Sequence, residues 1–421
     1  MIKEIQLTNW KSFEEATLFI DPLTILIGTN ASGKSNALDA LIFLQRIASG
    51  EALASALQGD ANSLEIRGGI DWACRRGEDS FCLQATVNLP EERIDFVYSI
   101  EMQIVEKKCQ IKKEILRRKK YRPKTDKNPY ETRLFWTDDC ETSSLSITAR
   151  LYNEKGGTPR PFARTHSVLS QLLIQAEADA GLRKEIAEGV KAVSKWLKNI
   201  FILDPIPSHM RRYSSLSEEL KNDASNIAGV IGALSPEKKE NIEETITKYI
   251  KDLPEKDIVS FHVEIVGKFT PAAMLYCEEQ WTQQPDSLPT LVDAKGMSDG
   301  TLRFLAVLVA LLTRPPGSLL VIEEIDNGLH PSRSQLLVQV LQDIGVRRGV
   351  DLLLTTHNPA LLDTLGVQMI PFVTVAHRDM QTGFSKLTLF EDIKMLPKLL
   401  AQGTVGKLSS EGLIESALAS E

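Results

Sequence analysis

The segment Gly28-Thr29-Asn30-Ala31-Ser32-Gly33-Lys34-Ser35 sets two glycines, a lysine and a hydroxyl in the pattern G-x-x-x-x-G-K-[ST]. That spacing cradles phosphate. Glycines let the backbone curl so that successive N–H groups point at one anion, and the N-terminus of a following helix adds partial positive charge. Lys34 can reach β- and γ-phosphates, and the Ser35 hydroxyl can ligate Mg2+. The expected nucleotide contacts are Gly28, Asn30, Gly33, Lys34, Ser35 and Asn36.

A second cluster of chemistry lies near the other end of the chain. The apolar run Leu319-Leu320-Val321-Ile322 ends in Glu323-Glu324. A buried strand has no structural use for two adjacent carboxylates at its tip unless they face a cation or water. Beside a phosphate loop, Glu323 reads as the group that holds Mg2+ and Glu324 as the one that polarises an attacking water. The competing reading is an acidic cap on the next helix. About 30 residues on, Leu352-Leu353-Leu354-Thr355-Thr356-His357 is another apolar run with a polar end. His357 is placed to sense a γ-phosphate, although a lone histidine is more often structural. Gly296-Met297-Ser298-Asp299-Gly300 opens the apolar stretch Phe304 to Leu312. Taken alone it is a simple helix cap in an anion-binding arrangement.

These groups need rigid elements behind them. Leu23 to Ile27 reads as a buried strand and Asn36 to Leu44 as a helix, so the phosphate loop has strand–loop–helix context. Alternation in 81–87 and 96–100 continues to about Leu116 as an antiparallel meander. Residues 166–200 have helical periodicity, a proline-containing stretch runs from Phe201 to Tyr213, and 214–252 read as helical again. Residues 258–280 return to strands, and 301–365 alternate helix and buried strand. The expected fold class is α/β: a P-loop nucleoside-triphosphatase head carrying an inserted α+β lobe, without a heptad run long enough for a coiled-coil arm. The expected divisions are 1–100 for the first part of the head, 101–285 for the insert, and 286–421 for the second part of the head with a short tail. The apolar stretches 389–400 and 413–418 are expected to pack on the core.

Composition narrows the setting. The chain has 49 Lys and Arg against 56 Asp and Glu, a net charge of −7, which excludes a uniformly basic nucleic-acid coat. Five scattered cysteines without C-x-x-C spacing point away from disulfides and structural zinc, toward a reducing cytoplasm. The chain opens on a strand-like segment without a signal peptide, and its longest apolar run is too short for a bilayer, so no membrane association is expected. One segment is locally basic: from Lys107 to Lys127 there are eleven Lys and Arg and two acids. It is either a DNA- or RNA-contacting stripe or a solvated hairpin. Arg211 and Arg212 could serve a nucleotide or a partner.

Taken in order, these pieces resemble ABC-type ATPases of the RecF/SMC/OLD-like branch. Leu7-Thr8-Asn9-Trp10-Lys11-Ser12-Phe13 looks like that branch's first strand and turn, and Ser298-Asp299-Gly300 like the ABC signature loop. Glu323-Glu324 matches its Walker B acids, Ile325 to Pro331 resembles its D-loop, and His357 matches its switch histidine. The resemblance implies a homodimer or higher oligomer in which two protomers sandwich ATP. Ser298 and Gly300 would then contact the γ-phosphate held by the partner's P-loop. Met297 and Asp299 depart from the commonest signature wording. No Q-loop residue stands out, with Gln84 and Gln103 candidates only by type and position.

The wording "SDGTLRFLA", "VIEEIDNGLHP" and "TTHNPALLD" is similar to AAA_21-type bacterial ATPases. Such proteins are common in anti-phage defence systems such as Septu, PARIS and retron-linked modules. The resemblance implies ATP and Mg2+ as cofactors and an effector or nuclease encoded nearby. A Toprim nuclease domain in the same chain is not expected. A RecF-like role in DNA repair, an autonomous nuclease, and an interaction protein with a degenerate P-loop are the competing readings. The intact Lys34, Ser35, Glu324 and His357 argue against the last.

Overall fold

The computed structural model describes residues 1–421 apart from 61–63, 123–128, 180, 254–257, 281–287, 327–330, 365 and 420–421. Strands β1 (Ile2–Trp10), β2 (Phe13–Phe19) and β3 (Leu23–Ile27) lead into helix α1 (Lys34–Ser49) and the short α2 (Leu53–Gln58). Six strands follow: β4 (Ser80–Leu89), β5 (Ile94–Val105), β6 (Lys108–Lys120), β7 (Tyr130–Thr137), β8 (Ser146–Leu151) and β9 (Thr158–Ala163). Next come α3 (Val168–Glu177), α4 (Lys184–Lys198), β10 (Ile200–Leu203), α5 (Pro207–Met210), β11 (Ser214–Ser215), α6 (Ile227–Gly232) and α7 (Pro236–Lys251). Strands β12 (Ile258–Val266), β13 (Ala272–Glu279) and β14 (Thr290–Asp293) precede α8 (Asp299–Thr313) and β15 (Leu319–Ile322). After α9 (Pro331–Val340) the chain forms β16 (Asp351–Thr355), β17 (Val373–Arg378) and β18 (Ser385–Leu389), with short helices between and after them.

Contacts divide the chain into two units. The first comprises Met1–Ile200, Pro371–Lys394 and Glu415–Glu421; the second comprises Phe201–Ile370 and Met395–Ile414. This differs from the divisions expected at 100 and 285. Residue 100 falls inside β5, and the meander runs on to β9 rather than stopping near 116, because every strand from β4 to β9 pairs with its sequence neighbour. The helical reading of 214–252 also changes. Only α6 and α7 are helical there, with Pro236 opening α7. The segment before α6 is held as a loop by Asn226, whose amide accepts from Lys221 N and donates to Glu219 O.

In the first unit the strands lie in the order β3-β17-β18-β2-β1-β4-β5-β6-β7-β8-β9. Strand β3 is parallel to β17, and β2 meets β18 at Phe13 and Ser385. All five residues of β3 are buried, as expected for a strand covered on both faces. Helix α1 packs against α2, α3 and α4. Helix α4 buries Ile186, Val190, Val193 and Leu197, one face at helical spacing. It lies so close to the meander at Gly189 that a Cβ there would come within 2.4 Å of Leu134.

The second unit holds strands β10-β15-β16, with β15 and β16 parallel. It also holds a small antiparallel sheet in which β13 pairs with β11, β12 and β14. Its centre is α8, buried from Phe304 to Leu311 without a polar face. Such all-round apolar character belongs to a helix enclosed by its own domain. Among the described residues no helix exceeds sixteen residues, in line with a head that lacks a coiled-coil arm. None is long and apolar enough to cross a membrane.

One of the two acids in the basic run is enclosed in the first unit. Glu114 accepts from the backbone N–H groups of Val168 (2.7 Å) and Leu169 (2.8 Å) at the start of α3, and from Tyr98 OH (3.0 Å). It thereby satisfies donors that a helix N-terminus leaves unpaired. Burial pushes its carboxyl up from about 4.5 to about 7, against these three donors, which hold it down. The folded state therefore binds this proton more tightly than the unfolded chain. The group's contribution to stability is greatest below pH 4.5 and is lost as pH rises through 7, a change of about 3 kcal/mol. Compared with Glu114→Gln across pH 4.5–8, the wild-type protein should lose relative Tm as pH rises. A pH-independent difference would show that this carboxyl does not titrate as described.

Candidate functional site

The phosphate loop belongs to the first unit. Gly28 and Gly33 have φ of 144° and 115°, and Ala31 between them has φ of 62°. A Cβ on Gly28 would stand 2.2 Å from Ala376 O, and one on Gly33 would stand 2.6 Å from Ser385 Oγ. Both glycines are thus required twice, by conformation and by close approach. The Lys34 ammonium folds over the loop and donates to Gly28 O (2.6 Å) and Thr29 O (3.0 Å). Helix α1 begins at Lys34, directly after Gly33. A curled glycine loop, a lysine lying over it and a helix N-terminus fit a triphosphate.

Three consecutive residues at the β1–β2 turn hold α1 in place. Trp10 Nε1 donates to Asn36 O (2.7 Å), Lys11 Nζ pairs with Asp39 Oδ2 (2.5 Å), and Ser12 Oγ accepts from Asn36 Nδ2 (2.7 Å). Asn9 and Lys11 take left-handed φ values of 52° and 50° to aim these side chains. The Trp10 ring is fully buried and packs with Phe43 and Phe81 at centroid distances of 4.9–6.0 Å. Asn36, expected among the nucleotide contacts, therefore commits both its amide and its carbonyl to this turn.

Beside the turn lies a cavity of 590 Å³, a size that suits a small-molecule ligand, lined by Lys11, Asn36, Arg67, Trp72, Arg75, Arg76, Arg378 and Phe384. Arg378 Nε donates to Ala31 O of the phosphate loop (2.9 Å). The Arg75 guanidinium lies 4.6 Å from the centroid of Phe384, and the Trp72 indole is 64% exposed. Cationic walls with exposed aromatic surface can take a base and its phosphates. Apart from Lys11 and Asn36, sequence spacing did not single out these residues, because the lining comes from four separated segments. Gln84 and Gln103 stay within the meander, bonded to Gln6 and Asp79.

The acids and the histidine belong to the second unit. Strand β15 ends at Ile322, leaving Glu323 half-buried and Glu324 exposed. Glu324 takes φ of 48°, a conformation that costs a non-glycine residue about 1–2 kcal/mol. Thr355 at the end of β16 holds it. Thr355 Oγ1 accepts from Glu324 N (2.8 Å), and Thr355 O accepts from Ile325 N (3.1 Å). Thr356 Oγ1 donates to Asp326 Oδ1 (2.6 Å). The two parallel strand tips are thus stitched together, and His357 Nδ1 comes within 4.0 Å of Glu324 Oε1. The structure therefore brings together two residues that the sequence placed 33 positions apart. Of the expected D-loop, residues 327–330 lie outside the described residues.

In the same unit, Ser298 caps α8, accepting from Thr301 N (3.1 Å). Ser298 and Asp299 are exposed, whereas Met297 and Gly300 are buried. No group of three or more His, Cys, Asp or Glu among the described residues could hold a metal by itself.

The basic run lies along β6. Part of its charge is met by neighbours: Lys107 by Asp71, Lys112 by Glu101 and Arg117 by Glu131. Residues 123–128, which include Lys124 and Lys127, lie outside the described residues. All five cysteines are unbridged.

Residues 1–154 match the family model AAA_15, an AAA ATPase domain. Residues 208–363 match AAA_21, described as an AAA domain, putative AbiEii toxin, Type IV TA system. Among solved structures, an SMC head bound to the C-winged helix domain of ScpA is similar over 92% of this chain and 96% of that one, at 12% identity and a TM-score of 0.49. The SMC head domain from Thermotoga maritima is similar over 92% and 98%, at 12% identity and a TM-score of 0.44. No curated protein matches significantly.

Thr355→Val keeps the shape of the strand tip but removes the acceptor of Glu324 N–H. That lost bond costs about 1–3 kcal/mol. Phosphate release should slow about tenfold or more, with the ATP dissociation constant within about twofold of wild type. Unchanged turnover would show that Thr355 does not set Glu324.

Proposed function

We propose that this chain, an AAA-type ATPase, is an ATP-driven assembly module whose dimerisation controls a partner effector, in bacterial anti-phage defence. The observation that carries the reading is the exposure of Ser298 and Asp299 at the tip of α8, a helix otherwise enclosed by its own unit. An exposed serine at a helix N-terminus suits a phosphate brought by a second protomer. The family description for residues 208–363, a putative toxin of a toxin–antitoxin system, supports a defence setting.

In this reading the loop N–H groups, Lys34 and the helix α1 N-terminus bind the triphosphate. The cavity beside the β1–β2 turn takes the nucleoside, with Trp72 and the arginines as its walls. Ser35 and Glu323 would hold Mg2+, which offsets charge on the phosphate oxygens. Glu324 accepts a proton from the attacking water, and His357 holds that water and the γ-phosphate. Ser298 and Gly300 of one protomer complete the site of the other. Binding closes the dimer and hydrolysis reopens it.

A RecF-like role on DNA without a toxic partner is the second reading. It is favoured by the exposed Lys108, Lys112 and Lys113 on β6. The ion pairs along that strand weaken it.

Glu324→Gln should retain ATP binding, run as an ATP-dependent dimer and hydrolyse about 100-fold or more slowly. Wild-type turnover in that variant would remove Glu324 from its role. Ser298→Arg should bind ATP normally yet neither dimerise nor hydrolyse it, and loss of binding itself would contradict a contact made across the dimer. Native mass spectrometry of the chain purified from its own operon with ATP decides between the two readings. A stoichiometric second protein supports the effector, and a bare homodimer supports DNA maintenance.

A further inference from the structure

We infer that Arg211 is the positioning residue of the 296–300 loop, holding Ser298 and neutralising Asp299 so that a phosphate can approach; this rests on the reading of Ser298 given above. Arg211 follows directly on α5, which packs against α8. Its Nη2 donates to Met297 O (3.0 Å) and to Asp299 Oδ1 (2.5 Å). These two acceptors flank Ser298. Met297 is anchored in the core at 4% exposure, and Ser298 Oγ is tied to Thr301 N. One cationic nitrogen bonded to the residues on either side of Ser298 leaves that residue little freedom.

An aspartate in the first turn of a helix is favourable for the helix itself. Next to a hydroxyl that must meet a polyanion it is unfavourable, because its carboxylate repels the incoming phosphate. Asp299 is 65% exposed and Arg211 27% exposed at their side chains. As a source of stability such a pair is worth little. Its effect falls on the local potential, where the guanidinium offsets the one negative charge beside Ser298. The departure of Asp299 from the commonest signature wording is thus answered by a cation that lies 88 residues upstream in the chain.

The experiment compares ATP-driven dimerisation of full-length variants by light scattering, with ATP binding and Tm measured on each. Arg211→Ala should weaken dimerisation about tenfold or more, with ATP affinity of the monomer unchanged. Arg211→Lys, which keeps the charge, should stay within about threefold of wild type. Arg211→Ala combined with Asp299→Asn should recover only part of the loss, because the unpaired carboxylate is gone but the hold on Met297 O is not restored. Asp299→Asn alone should dimerise at least as tightly as wild type. That last variant decides the matter even if Arg211→Ala does not fold. Weak dimerisation in Asp299→Asn, or wild-type dimerisation in Arg211→Ala, would overturn the proposal. Ser298→Arg is measured alongside. If it dimerises normally, the reading of the loop itself has failed, whatever Arg211 does.

Discussion

The grip of the β1–β2 turn on helix α1 is the constraint on which the phosphate loop depends. A loop of glycines has no shape of its own, so its geometry is inherited from its two ends. One end is β3, buried and parallel to β17. The other is α1, held by Trp10, Lys11 and Ser12 through three different kinds of bond. The Lys11–Asp39 pair is nearly dry, with side-chain exposures of 5% and 2%. A buried pair adds little net stability when complete but is expensive to break from one side. It therefore locks the register of turn against helix, and burial holds the Lys11 amine below its usual range even with Asp39 beside it.

The second unit uses the same logic with other elements. Strand β15, strand β16 and helix α8 are apolar along nearly their whole length and end in polar residues at the surface. Burial makes the elements rigid, and the candidate site residues lie at their tips. What sets each tip is a side chain from somewhere else: Thr355 for Glu324, and Arg211 for the segment around Ser298. Both supports reach backbone atoms, and Arg211 also pairs with the Asp299 carboxylate. They set the direction of the candidate side chains from outside the site.

Much of the site was legible because its chemistry is local. A glycine loop between a strand and a helix, two carboxylates after four apolar residues and a serine before an apolar helix each announce themselves within ten residues. The division of the chain was less legible. Strands β4 to β9 look alike along the sequence, and only their pairing showed that the meander runs unbroken past Leu116 to Ala163. The stretch 214–226 had helical composition but folded as a loop, because side-chain bonds from Asn226 competed with the helix ladder.

The sequence by itself determined a nucleotide-binding glycine loop and an α/β fold, and it supplied the candidates for holding a metal and activating water. These follow from short-range patterns, since residue types at fixed spacing within eight residues can be read without the rest of the fold. Tertiary structure alone decided which residues support that chemistry. The cavity of Arg67, Trp72, Arg75 and Arg378, the enclosure of Glu114 and the pairing of Arg211 with Asp299 each join segments tens to hundreds of residues apart. Such contacts leave no periodic trace, because one side chain meeting one backbone atom imposes no pattern on the residues around it.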